Sequence, residues 1–252
     1  MKQRTAVVTG AGDGLGKGIA ALLLQNGYRV AGFDNRQEPL DACAAEFGTG
    51  SFLPCVVNVL DEDSVNGAVA RVVAQFGGVD VLVNNVGGSM GIAKPVEEIT
   101  LEEFEKVLTL NLRSTFLCCK AVIPVMKKNG HGRIINMSSM AGRSRSVFGG
   151  TPYAAAKAAI IGFTRQSSKD LGKHGITINA VAPGTIVASE RIRKYWEVNR
   201  TAEERKMIVD MAPVGRMGDA EDVARCVLFL ADEGASYITG SVLDVNGGAW
   251  VG

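Results

Sequence analysis

Tyr153 and Lys157 stand four residues apart in Tyr-Ala-Ala-Ala-Lys, fourteen residues beyond Ser139. On a helix, positions i and i+4 share a face, so an ammonium can act on a phenol there. A free tyrosine has a pKa of about 10, too high for an efficient base near neutral pH. An ammonium at ~5 Å, across an effective dielectric of ~20, favours phenolate by roughly 3 kcal/mol. That is about two pKa units and predicts a phenol titrating near pH ~8. Such a tyrosine can take a proton from an alcohol or return one to a carbonyl. Ser139 would hydrogen-bond the same oxygen and stabilise the charge that develops on it. Ser138 competes with Ser139 for this part. By itself, Asn111 reads equally well as a cap or a bend in a helix.

A second constellation opens the chain: Thr9-Gly10-Ala11-Gly12-Asp13-Gly14-Leu15-Gly16, after a strand-like segment and before a helix-like one. In that context the glycines can seat a dinucleotide. Gly10 permits the tight turn, and Gly14 and Gly16 let backbone and helix approach a pyrophosphate. The helix N-terminus, with Leu15 in its first turn, supplies free N–H groups and partial positive charge. A phosphate loop of the Walker type is excluded, because Ala11 stands where its first glycine belongs and Gly18 follows Lys17. Asp34 ends the next strand, 18 residues past Gly16, where a carboxylate can bond adenosine ribose hydroxyls and repel a 2′-phosphate. Asp13 adds negative charge nearby. Both favour NAD over NADP; Arg36, which could meet a 2′-phosphate, argues the other way.

Holding these groups together requires regular elements. Thr5–Val8, Arg29–Phe33, Ser51–Val57, Val79–Val83, Gly132–Met137, Ile176–Val181 and Ser241–Val245 read as short buried strands. Leu15–Asn26 (stopped by Gly27), Asp61–Phe76, Thr100–Lys128, Pro152–Gly172 and Asp219–Asp232 have helical length and periodicity. Strands apolar on both faces, alternating with helices, imply a parallel sheet covered on both sides. Without a linker, repeat or low-complexity tract, residues 1–252 read as one α/β domain. Ala188–Met217 breaks the rhythm. It is polar and charged, carries Tyr195 and Trp196, follows Pro183-Gly184, and reads as an excursion over the ligand cleft.

Composition narrows the classes. Of the 252 residues 46% are hydrophobic, ample for a core, and a net charge of +1 gives no footprint for nucleic acid or an anionic membrane. Five cysteines without a CxxC spacing suggest reduced, buried thiols. No signal-like segment precedes the first strand, and no apolar run is expected to reach the ~18–20 residues a bilayer requires. Two distant histidines, His131 and His174, without a Cys or carboxylate cluster predict no metal site. They are equally unsuited to a Ser-His-Asp hydrolase, for which no Gly-x-Ser-x-Gly elbow is expected either. The expectation is a cytoplasmic protein with no nucleic-acid or membrane partner.

These residues resemble the short-chain dehydrogenase/reductase family, in its branch of about 250 residues, over essentially the whole chain. The matching segments are Thr9–Gly16, Asn84-Asn85-Val86-Gly87, Asn111, Asn136–Ser139, Tyr153–Lys157, Asn179 with Pro183-Gly184, and Ile238-Thr239-Gly240 with Val245-Asn246-Gly247-Gly248. The resemblance implies a Rossmann-like, doubly wound, seven-stranded parallel sheet. It selects Ser139 over Ser138 and makes Asn111, Ser139, Tyr153 and Lys157 the catalytic set. Asn111 would hold a water that links Lys157 to solvent, and Lys157 would bond the nicotinamide ribose. Asn58 could contact adenine, Asn85 and Gly87 would line the path to the nicotinamide, the Ile186 backbone would hold the carboxamide, and Val59, Pro183 and Gly184 would complete the cofactor site. Homotetramers or homodimers built on helices around 101–128 and 151–172 are usual in the family. Three departures stand out: Asn58 for the usual Asp, Val86 for Ala, and Ala188 where a Thr normally binds the carboxamide, with Ser189 as a substitute.

The expected function is therefore NAD(H)-dependent interconversion of a secondary alcohol and a ketone, with Tyr153 as general acid/base. A 3-oxoacyl-carrier-protein reductase of the same fold is the alternative. That role usually wants NADPH, which Asp34 opposes, and a basic docking surface, to which Gly130 and His174 add little. A non-enzymatic dinucleotide-binding scaffold would have no need of the Ser/Tyr/Lys/Asn set, and a sugar epimerase would need a longer chain. Substrate choice should come from Gly88–Ile92, Arg143–Gly150 and the 188–217 excursion. Besides Ser139 and Tyr153, the substrate candidates are Arg143, Arg145, Arg191, Tyr195 and Trp196. Arg193, Lys194 and Arg200 are further cations there, and one or two arginines could bind a substrate anion. Interleaved glutamates make a solvated lid the competing reading.

Overall fold

The computed structural model describes residues 3–146 and 148–252, and within them every side chain except those of Arg191 and Tyr195. In chain order the elements are β1 (Thr5–Thr9), α1 (Gly14–Gln25), β2 (Arg29–Asp34), α2 (Gln37–Phe47), β3 (Phe52–Val56), α3 (Glu62–Phe76), β4 (Val81–Asn84), α4 (Leu101–Leu108) and α5 (Ser114–Asn129). They continue as β5 (Gly132–Met137), α6 (Thr151–Leu171), β6 (Ile176–Pro183), β7 (Ile186–Val187), α7 (Glu190–Asn199), α8 (Ala202–Asp210), β8 (Gly218–Asp219), α9 (Ala220–Ala231) and β9 (Val242–Val245).

Seven strands form one parallel sheet in the order β3-β2-β1-β4-β5-β6-β9, while β7 and β8 make a separate two-stranded parallel pair. Successive strands run outward from β1 to β3 on one side, then from β4 to β9 on the other. The reversal lies between β1 and β4, where doubly wound sheets bind ligands beyond the carboxyl ends of the strands. β1, β4, β5 and β6 are buried along their whole length, as expected of central parallel strands. Pro54, which cannot donate to a ladder, falls in the edge strand β3.

Each face of the sheet carries its own core. One gathers Ile19 and Leu23 of α1, Leu40 and Cys43 of α2, and Val223, Val227 and Leu230 of α9. The other gathers Val65, Val69 and Val72 of α3 with Cys118, Cys119, Val122 and Met126 of α5. Each fully buried Val or Leu contributes about 1.5–3 kcal/mol, so a charge at Leu230 would unseat α9. All five cysteines are free, and burial pushes the Cys118 thiol up to about 12.

Three elements differ from expectation. α2 was not anticipated, because its buried face amounts to Leu40 and Cys43. The 188–217 excursion contains two capped helices: Ser189 accepts from Ile192 N, and Thr201 forms a capping box with Glu204. The long helix expected at Thr100–Lys128 is continuous over Leu101–Asn129 but widens into a π-turn at Thr109–Arg113. That run has the length and hydropathy of a membrane span, contrary to the expectation of none. Its α5 half, however, supplies Cys118, Cys119, Val122 and Met126 to the core.

Candidate active site

The first turn after β1 is pinned to β2: Gly10 N and Ala11 N both donate to Phe33 O, at 2.7 and 3.1 Å. Asp13 then caps α1 by accepting from Gly14 N at 2.7 Å. Gly16 has no room for a side chain, since a Cβ there would lie 2.0 Å from Gly10 O. Asp34 is nearly buried. Its Oδ2 accepts from Gly12 N at 3.1 Å, and its Oδ1 accepts from Arg36 N at 3.1 Å and Arg36 Nε at 3.2 Å. The residue that argued for a 2′-phosphate is thus bonded to the residue that argued against it.

Thr9 ties the two sides of the reversal together. Its Oγ1 accepts from Asn85 N at 2.9 Å and Val86 N at 3.1 Å, while Asn85 Nδ2 donates to Thr9 O at 2.9 Å. Deeper in the sheet, Asn84 Nδ2 donates to Asn136 Oδ1 at 2.8 Å, and Asn136 Nδ2 donates to Thr164 Oγ1 at 2.9 Å. This buried relay fastens α6 to β4 and β5. Buried polar networks of this kind rigidify what they connect, although Asn84 Oδ1 itself has no described donor.

α6 carries the proton-transfer candidates. The Lys157 ammonium donates to Met137 O at 2.8 Å and lies 5.6 Å from the centroid of the Tyr153 ring. Ser138 turns inward and donates to Lys157 O at 2.8 Å. Ser139 faces the cleft, where it hydrogen-bonds with Tyr153 and accepts from Ala141 N at 3.1 Å. Asn111, fully buried in the π-turn, accepts from Gly88 N at 3.0 Å and donates to Gly88 O at 2.9 Å and Val107 O at 2.8 Å. Its side chain thereby clamps the segment after β4. A Cβ on neighbouring Gly87 would sit 2.4 Å from Asn111 Oδ1 and 2.9 Å from Lys157 Nζ.

The electrostatics correct one expectation. Burial pushes the Tyr153 phenol above its ordinary value, and the hydrogen bond with Ser139 only partly opposes this. Burial also lowers Lys157 to about 8. The lysine therefore does not by itself bring the phenol into the neutral range, because desolvation acts against the charged form of both partners.

Two cavities meet at Tyr153 and Ser139. A cleft of about 410 Å³ is lined by Gly10, Asp13, Gly14, Leu15, Asp34, Arg36, Asn85, Gly87, Lys157, Pro183 and Gly184 as well. A second, of about 540 Å³, is lined by Met140, Phe148, Ile186, Ile192, Trp196 and Arg200 among others. Ile192 of α7 borders both, and a Cβ on Gly14 would lie 3.9 Å from Ala188 Cβ and from Ile192 Cδ1, so the excursion does lie over the glycine turn.

Some expected residues lie elsewhere. Asn58 is exposed and folds back to accept from Leu60 N at 3.1 Å; neither it nor buried Val59 lines the cleft. Ile186 borders the second cavity instead. Ser189 caps α7, so its hydroxyl is committed locally. Arg143 is turned away: it donates to Asp244 Oδ2 at 3.2 Å and Gly252 O at 2.9 Å, and stacks 4.6 Å over Trp250. Arg145 is exposed and borders neither cavity. The side chains of the candidates Arg191 and Tyr195 lie outside the described residues. Ser89 stands in a Gly-x-Ser-x-Gly spacing, but no helix follows it as a nucleophile elbow demands. Thr9, Ser138 and Thr164 were not anticipated as positioning groups. Their only signal was position: a hydroxyl residue next to a motif, or on the motif helix.

The donor set fits a dinucleotide. A glycine turn at a helix N-terminus, backbone N–H groups and an acid at the end of β2 share a cleft that ends at Tyr153 and Lys157. A family model described as Enoyl-(Acyl carrier protein) reductase matches residues 10–249. The chain is 34% identical over 250 residues to the (2S)-[(R)-hydroxy(phenyl)methyl]succinyl-CoA dehydrogenase subunit BbsD of Thauera aromatica, covering 98% of this chain and 97% of that one. It is 36% identical over 250 residues to the 3-oxoacyl-[acyl-carrier-protein] reductase FabG of Thermotoga maritima, covering 98% of both. The NADP-bound structure of ElxO superposes with a TM-score of 0.89 at 32% identity, covering 99% of each chain. The protein belongs to the short-chain dehydrogenase/reductase family and is an oxidoreductase.

Proposed function

We propose that the protein is an NAD(H)-dependent oxidoreductase interconverting a secondary alcohol and a ketone, with Tyr153 as general acid/base. The observation that carries this reading is the pairing of Tyr153 with Ser139 where the two cavities join, with Lys157 buried behind. A nicotinamide held there would supply the hydride acceptor or donor for the carbinol carbon and, in its oxidised form, positive charge in the cleft. Gly10 through Gly16, Asp34, Asn85 and Gly87 would hold the dinucleotide, and Pro183 and Gly184 would close its far end.

The substrate oxygen would sit between two hydroxyls. Ser139 donates to it, lowering the cost of alkoxide-like charge. Tyr153 takes its proton in oxidation and returns one in reduction. The high phenol pKa suits a donor, and positive charge in the cleft is what makes the same group a competent base. Lys157 supplies part of that charge. Asn111 holds the Gly88 segment over it, and its place beside Lys157 supports a role in relaying the proton onward.

Cofactor preference follows from Asp34. Its carboxylate is fixed by two backbone N–H groups and partly neutralises Arg36, which supports ribose hydroxyls over a 2′-phosphate. The grooved face around Leu108, Leu112 and exposed Phe116 supports a homodimer or homotetramer through α4 and α5, in the cytoplasm.

The names of relatives such as the Thermotoga enzyme favour a second reading, NADPH-linked reduction of 3-oxoacyl thioesters. Absorbance at 340 nm separates the two. NAD-linked turnover of secondary alcohols supports the first, and NADPH-only turnover of acyl thioesters supports the second. Tight NAD binding without any turnover would leave only a dinucleotide-binding scaffold.

A further inference from the structure

Arg200 lies at the junction of α7 and α8, and among the described residues it is the sole charged side chain on the wall of the second cavity. No described carboxylate lines that cavity. The other arginines around the cleft are closely answered: Arg36 by Asp34 at 3.2 Å, Arg143 by Asp244 at 3.2 Å, and Arg216 by both oxygens of Asp222 at 2.6 and 2.7 Å. Among the described residues the one carboxylate near Arg200 is Glu204 one turn on, at 3.6 Å, and Glu204 also accepts from Thr201 N in its capping box. An exposed contact of this kind holds little of a guanidinium's binding capacity.

The guanidinium is nonetheless held in place. It lies over Phe148, 4.9 Å from the ring centroid, and Phe148 meets Trp196 edge-on at 5.5 Å. Arg205 fixes the backbone beneath by donating to Arg200 O at 2.7 Å and Glu197 O at 2.9 Å. Trp196 lines the same cavity. A single cation thus stands on an otherwise neutral, largely apolar wall that opens onto Ser139 and Tyr153.

We propose that the substrate carries a carboxylate, held by Arg200 while its carbinol or keto carbon lies at Ser139 and Tyr153. This names the substrate class of the reading above, a hydroxy acid and its keto acid, and rests on that reading. A single unit of positive charge matches a monoanion; a dianionic phosphate would bring a second charge that nothing described on the wall answers. Planar carboxylate also suits the guanidinium fork.

The test compares hydroxy acids with their own methyl esters, which keep the shape and lose the charge. With saturating NAD, kcat and KM are measured for 3-hydroxybutyrate, 4-hydroxypentanoate, 5-hydroxyhexanoate and the three esters. Wild type should favour at least one acid over its ester by about tenfold to a hundredfold in kcat/KM, mainly through KM. Arg200→Met should abolish that preference and Arg200→Lys should keep part of it. Arg193→Met, which alters an exposed cation bordering neither the cofactor cleft nor this cavity, should leave the preference intact. Titration calorimetry of the NAD complex with butyrate gives a readout that needs no turnover, and Arg200→Met should weaken binding at least tenfold. Absence of turnover with either cofactor would sink the redox reading alone, leaving butyrate binding to decide this one. Equal use of acid and ester by wild type, a preference that survives Arg200→Met, or butyrate binding absent from wild type or unchanged in the variant, would overturn it.

Discussion

The Lys157 ammonium donates to the main-chain carbonyl of Met137 at 2.8 Å, joining the helix that carries Tyr153 to the strand that leads into Ser139. The return contact is Ser138 Oγ to Lys157 O, also 2.8 Å. The two hydroxyls that would share a substrate oxygen are thus held in register by main-chain contacts of Lys157 and Ser138, beside their own hydrogen bond to each other.

Lys157 should leave a pH signature in stability. Burial lowers its folded pKa to about 8, against about 10.4 in an unfolded chain. Between these values the unfolded state binds more protons, so stability rises with pH there; below about 8 the folded state carries the full penalty of a buried charge. Urea unfolding should show wild type gaining up to about 3 kcal/mol relative to Lys157→Met between pH ~7 and pH ~10.5. A flat difference would mean that the ammonium is not desolvated.

Ser138 and Ser139 should separate cleanly. Ser138→Ala removes a buried hydrogen bond and should cost about 1 kcal/mol or more of stability, with only a secondary loss of rate. Ser139→Ala should leave the melting temperature nearly unchanged while lowering kcat by about a hundredfold to a thousandfold. A reversed pattern would exchange their roles.

Asp34→Ala frees Gly12 N and releases Arg36 from its ion pair. Binding titrations should show NAD weakened by about tenfold and NADP strengthened, each partner contact being worth about 1–2 kcal/mol. If NADP already binds wild type more tightly than NAD, the cofactor assignment is wrong.

Arg143→Ala should act on stability rather than on substrate. It removes an ion pair to Asp244, a bond to Gly252 O and the stack on Trp250, together about 1–3 kcal/mol. Steady-state KM should stay within about twofold.

The two motifs could be read from the chain because their chemistry is local. Gly10 to Gly16 is one turn, and Tyr153 and Lys157 are one helical step apart. The seven sheet strands were visible as short apolar runs, although β9 at the sheet edge has no buried residue. α2 was not, since Pro39 and a run of alanines leave it a two-residue apolar face. The lid helices are polar nearly all round, and their capping residues, Ser189 and Thr201 with Glu204, were the signal to follow. Arg143 was misjudged because its partners lie about a hundred residues away, at Asp244 and Gly252. The Tyr153 shift was misjudged because adjacency shows a charge but not the burial that acts against it.

The most direct test is Tyr153→Phe, with kcat/KM for the best alcohol followed across pH alongside NAD affinity. The proposed chemistry predicts NAD binding within about threefold of wild type, kcat/KM lower by about a hundredfold to ten-thousandfold, and loss of the alkaline rise that a phenolate base gives wild type. A variant that keeps both its rate and that rise would show that the proton leaves by another route.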